Sequence, residues 1–137
     1  MRTTICIFLI LIASGCHNLQ KEPSQKYVKQ ITSKYVDFDI ETIIDIDCEQ
    51  FEKQFVDEIK TNVITESNKI NEILTQLNDL KPAGKDYYQH VDTRMTVELK
   101  YNSDSIETIC MSNFLVERNE KLFIRTDSLT LLLIKKE

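Results

Sequence analysis

Few stretches of this chain restrict its fold as tightly as residues 35–48, YVDFDIETIIDIDC. Val36, Phe38, Ile40, Ile44, Ile46 and Cys48 fall at alternate positions, with Thr42 the one interruption. Asp37, Asp39, Glu41, Asp45 and Asp47 occupy the positions opposite. Period-two alternation predicts a long half-buried strand, apolar on one face and acidic on the other. Such a strand has to pair into a sheet and be covered on its apolar face. The cover is visible downstream. Ile70, Ile73, Leu74, Leu77 and Leu80 form a stripe at helical spacing. They predict a helix over about 66–80, with Thr65 as its N-cap and Pro82 ending it.

The remaining elements follow from the same two periods. Cys48, Phe51, Phe55 and Ile59 have helical spacing, with Asp47 and Gln50 as a candidate capping box, while 59–65 is read as either helical or extended. TRMTVELKY (93–101) alternates, and IETICM (106–111) follows the turn residues 102–105. A two-residue Ser103-Asp104 turn sets Tyr101 opposite Ile106, Leu99 opposite Thr108, Val97 opposite Cys110 and Lys100 opposite Glu107. FLVE (114–117) and LFI (122–124) flank RNEK as a further short hairpin. Thr126-Asp127 is placed to cap SLTLLLIKK (128–136), which is read as a helix with a strand as the alternative. The fold class expected is α+β: a mostly antiparallel sheet of four to five strands, the 66–80 helix across one face, and a C-terminal helix.

The N-terminus carries a separate instruction. Arg2 precedes an apolar run, Ile5 to Ala13, well short of the ~20 residues that cross a bilayer. Ala13-Ser14-Gly15 are small, as before a cleavage site, and Cys16 comes next. Ile12-Ala13-Ser14-Gly15-Cys16 resembles the lipobox of bacterial lipoproteins, cut by signal peptidase II. Ala13 stands where leucine is commonest. The resemblance covers residues 1–16 only. It implies a signal peptide at 1–15, acylation of Cys16, and a location in the bacterial cell envelope, anchored to a membrane by lipid. On this reading 16–26 is the lipidated cysteine and a polar tether, and 27–137 is one small domain.

Composition then removes several function classes. The 137 residues carry a net charge of −5; residues 1–15 hold one arginine and no acid, so their removal makes it −6. An acidic surface is a poor fit to nucleic acid. Beyond residue 15 only Gly84 remains, so no glycine-rich loop can cradle a nucleotide. No cofactor and no metal are expected: His90 is the one histidine well inside the domain, and Cys48 and Cys110 are expected on core-facing positions. In an exported protein those two cysteines form a candidate disulfide, with two buried free thiols as the alternative.

No catalytic grouping carries a signature. Consecutive carboxylates of a strand project side by side, ~6.6 Å apart, and do not converge on an ion. The acidic positions Asp37, Asp39, Glu41, Asp45 and Asp47 are read as a solvated face, with Arg94 and Lys100 as candidate partners, or as a docking surface. Tyr87, Tyr88 and His90, in the irregular 81–92 segment, are the other candidate contacts. The expected function is non-catalytic protein binding at the envelope, of inhibitor or immunity type. The alternatives are a small envelope hydrolase using His90, and an accessory subunit of an envelope complex.

Overall fold

The structure, a computed structural model, describes residues 25–85 and 90–135. Cys16 and its lipobox, and Tyr87 and Tyr88, lie outside the described residues. The fold class is α+β, with six strands where four to five were expected. The elements are β1 (Val28–Tyr35), α1 (Phe51–Gln54), β2 (Lys60–Ile64), α2 (Ser67–Asn78), β3 (Met95–Tyr101), β4 (Ile106–Met111), β5 (Leu115–Arg118), β6 (Lys121–Ile124) and α3 (Asp127–Leu133). The strand order is β2-β1-β3-β4-β5-β6, every neighbour antiparallel.

Both long-range helices cover one face. Ile70, Ile73 and Leu77 of α2 and Leu129 and Leu133 of α3 pack on Ile31, Met95, Val97, Leu99, Ile109, Met111 and Val116 of the sheet. The two helices also touch: the Ser128 hydroxyl donates to Gln76 Oε1 at 2.9 Å. Ser33, a polar residue in this core, donates to the Leu133 carbonyl at 2.6 Å and so satisfies the end of α3. α3 begins on Thr126, whose Oγ1 accepts from Leu129 N–H at 3.4 Å. For α2 the N-cap is Glu66, one residue beyond Thr65, and no side chain caps it.

The predicted 35–48 strand is not a strand. β1 ends at Tyr35, where that strand was to begin, and 36–50 continues as a strap with no ladder of its own. Aspartate chemistry turns the chain: Asp37 Oδ1 accepts from Asp39 N–H at 3.1 Å, and its carbonyl accepts from Ile40 N–H. The alternation nevertheless records the partition everywhere but at Ile44, which was expected on the apolar face and is 63% exposed because the chain bends at 43–44. Val36 and Ile46 are buried, Phe38, Ile40 and Cys48 are half-buried, and all five acids are exposed. With Phe51 and Phe55, Val36 and Ile46 build a second small core. The Asp47–Gln50 box does not form; the Asp47 carbonyl accepts from Gln50 and Phe51 N–H instead.

The β3–β4 register also differs by one. Asp104 is left-handed (φ 61°), so three residues, Asn102 to Asp104, make the loop. Lys100 then faces Ile106, Val97 faces Ile109, and Thr96 faces Cys110. A one-residue slip turns every β4 side chain over. Ile109 and Met111 therefore enter the main core, and Cys110 points to the opposite face beside Val91 and Leu115. Glu107 leaves Lys100 and takes Arg118 at 2.6 Å. In the last hairpin Asn119 and Glu120 both have positive φ (50° and 61°), as a two-residue primed turn requires.

Candidate functional site

Arg94 organises the end of the sheet where β1 stops and β3 starts. It is 5% exposed, and its backbone N–H and C=O are held by Met111 and Val36. Its guanidinium donates to Ile40 O (3.2 Å), Asp92 Oδ1 (2.6 Å), Thr93 O (3.1 Å) and Thr42 Oγ1 (2.9 Å). The fork thus ties the strap to the sheet at two points. Asp92 Oδ1 adds a third by accepting from Ile46 N–H at 2.8 Å, while Ile46 O accepts from Thr93 N–H. The Cys48–Cys110 disulfide is the fourth, linking the strap to β4 with Cα atoms 5.8 Å apart. It joins the far face of the sheet and not the main core, as the corrected β4 register demands.

Between Thr42 and Ile46 the strap bulges into solvent. Ile43 is fully exposed and Ile44 is 63% exposed. Phe114, 73% exposed, stands on the β4–β5 connection. Ser112 shapes that connection: its Oγ accepts from Phe114 and Leu115 N–H at 3.2 and 3.0 Å. Arg125 supports it from behind, donating to Asn113 O at 2.7 Å and lying 5.1 Å from the Phe38 ring.

Between strap and connection lies a cleft of about 520 Å³, lined by Asp45, His90, Asp92, Arg94, Ser112, Asn113, Phe114 and Leu115. Of the sequence-predicted contacts, Asp45 and His90 meet here, whereas Asp37, Asp39, Glu41 and Asp47 sit exposed along the strap outside the lining. The acids belong to this strap and not to a sheet face. Neither expected partner reaches them: Arg94 pairs with Asp92, and Lys100 lies on β3 opposite Ile106. Arg94, Asp92, Asn113 and Phe114 were not anticipated as one site with Asp45, because three separate segments bring them together.

The hydrolase alternative requires a base linked to a nucleophile. His90 and Ser112 share the cleft, but among the described residues no hydrogen bond joins them. Ser112 is 8% exposed with its Oγ occupied by two amides, and Asp92 Oδ1 is occupied by Arg94 and Ile46. Among the described residues no group of three or more His, Cys, Asp or Glu could hold a metal ion. None of the described helices is long and apolar enough to cross a membrane.

A second polar cluster lies at the other end of the sheet. Tyr101 donates to Glu107 Oε2 at 2.5 Å, and Arg118 Nε donates to Oε1. The Arg118 hydrogen bond holds the Glu107 carboxyl below its ordinary range, against the effect of its own burial. Burial and the Glu107 hydrogen bond raise Tyr101. Each member has its partner, so this cluster reads as structural. No protein-family model, curated protein or solved structure matches the chain, and the reading of the site rests on its own geometry.

Proposed function

We propose that the chain is a lipid-anchored envelope protein that binds a protein partner without transforming it, in the manner of an inhibitor or immunity protein. The observation that carries the reading is the pinned strap: side-chain bonds and a disulfide fix its flanks, while Ile43 and Ile44 face water beside Phe114. An apolar tip held rigid at an acidic rim is preorganised for contact, since little entropy remains to be lost on binding. The lipobox resemblance at residues 12–16 supports the anchor. The described chain enters β1 through Tyr27, whose N–H bonds Asn102 at the β3–β4 loop. The strap begins at the other end of that eight-residue strand, about 26 Å away. A tethered body would therefore present the cleft away from its attachment.

Two measurements test this. The intact mass of the protein from its native membrane should equal a chain starting at Cys16 plus acyl groups and two hydrogens less for the bridge. Photo-cross-linking residues placed at 43, 44 and 114 should give one shared adduct, absent when the probe sits at exposed Leu131 on α3. Equal labelling from all four positions would refute a defined surface.

That His90 and Ser112 line one cleft leaves, second, the reading of a small hydrolase. A fluorophosphonate probe separates the readings: labelling of Ser112 that disappears in His90→Ala would establish an activated serine and overturn the non-catalytic reading.

A further inference from the structure

We infer that the cleft receives a lysine or arginine side chain of the partner; this rests on the binding reading above and names what enters the site. The argument is an inventory of donors and acceptors. Among the described lining residues Arg94 is the one fixed cation, and its guanidinium is committed to Ile40, Asp92, Thr93 and Thr42. It has little left to offer a ligand. The acceptors are less occupied. Asp45 is exposed, and among the described residues no hydrogen bond or ion pair engages its carboxylate. Asn113 Oδ1 also finds no donor among the described residues, but it is shut off from water and does not open into the cleft, so it is not counted as an acceptor for a ligand. The Ser112 hydroxyl accepts twice and keeps only its own hydrogen to give.

A cleft whose open acceptor is an unpaired, exposed carboxylate calls for a ligand that carries a donor and a positive charge. Its walls specify the rest. The Phe114 ring and Leu115 offer an apolar surface for an aliphatic stem, and an aromatic face attracts a cation. Asp37, Asp39, Glu41 and Asp47 on the adjoining strap add a negative field that draws a basic segment toward this end. An ammonium or guanidinium on a flexible apolar stem meets all three conditions. Ile43 and Ile44 then contact apolar residues flanking that side chain.

The test uses the full chain with its disulfide intact, labelled with ¹⁵N and titrated with N-acetyl-arginine amide and N-acetyl-lysine amide. N-acetyl-citrulline amide serves as the uncharged control. Saturable shifts at the amides of Asp45, Asn113 and Phe114 are expected with the cations and not with citrulline. Asp45→Asn should weaken binding about two- to fivefold, the range for an exposed ion pair, and added salt should weaken it further. Citrulline acting as well as arginine, shifts centred elsewhere, or no shift would each overturn the inference. A partner cross-linked through 43, 44 and 114 without arginine binding removes this inference alone; arginine binding without a cross-linked partner removes the binding reading and, with it, the partner as the source of the side chain, leaving only a cleft that takes a cationic side chain.

Discussion

Replacing both bridge cysteines, Cys48→Ala with Cys110→Ala, tests whether strap and sheet unfold as one body. The bridge joins positions 62 residues apart. In the chain-entropy relation a loop of that length restricts the unfolded chain by about 4 kcal/mol at 25 °C. Unfolding entropy near 2.1 cal/mol/K per residue gives roughly 0.23 kcal/mol/K for a domain of about 110 residues. The two together predict a loss of roughly 15–20 °C in Tm. Cys110 is 6% exposed, so its truncation to alanine adds a small packing cost of the same sign. The assay is a thermal melt of wild type and double variant, with wild type in reductant as a check on the alanine substitutions. Amide exchange is measured in parallel. If the strap separates before the sheet melts, Tm barely moves and exchange quickens only over 36–50. That result would refute the single-body reasoning, because a constraint on a segment already undocked contributes nothing to the global transition.

Arg94→Met keeps the length of the stem but removes four hydrogen bonds and leaves Asp92 unpaired; with Asp92 partly solvated, a loss of about 2–3 kcal/mol is expected by urea unfolding. Arg94→Lys should recover little of it, since an ammonium cannot reach Ile40, Asp92 and Thr42 as the planar fork does. Glu107→Gln should lower stability at neutral pH and converge with wild type in acid: the folded carboxyl titrates below its unfolded value of ~4.3, so its contribution is complete above that pH and is lost as pH falls through the folded pKa. Thermal melts from pH 7 to pH 2 would show the two curves closing, and a constant gap would contradict the assignment. Glu120→Gly relieves a positive φ in the Asn119-Glu120 turn and should raise stability by about 0.5–1 kcal/mol; a loss would show that the Glu120 side chain has an offsetting role.

Where periodicity and packing agreed, the fold was legible. The Ile70–Leu80 stripe became α2 with Ile70, Ile73 and Leu77 buried, Thr126 caps α3, and both downstream hairpins formed. β1 was not visible in the sequence. It is a central strand, but Ser33 occupies a core position and a register shift between Val28 and Gln30 breaks its period. The β3–β4 register slipped because Asp104 accepts a left-handed backbone that Ser103-Asp104 does not advertise. The acids at 37, 39, 41, 45 and 47 were legible as an exposed set, since the strap keeps its acids in solvent although it turns at 38–39 and bends at 43–44, where Ile44 departs from the pattern. The cleft was not. It draws on Asp45, on His90 to Arg94, and on Ser112 to Leu115, and local patterns hold no information about that meeting.

On the proposed binding reading, the strap separates stability from recognition within one segment. Its inward residues suffice for anchoring: Val36 and Ile46 are buried, and Ile40 and Thr42 engage the Arg94 fork. A sequence selected for stability alone has no use for two consecutive isoleucines in water at positions 43 and 44. Replacing them with polar residues removes exposed apolar surface and touches none of the hydrogen bonds that hold the strap. Ile43→Asn with Ile44→Ser should therefore leave Tm within about 2 °C of wild type, as surface substitutions usually do, while abolishing any cross-link through position 114. A large fall in Tm would mean that the two side chains cover apolar surface and serve the fold. An unchanged Tm with the cross-link intact would place the contact energy elsewhere, on Phe114 and the cleft walls.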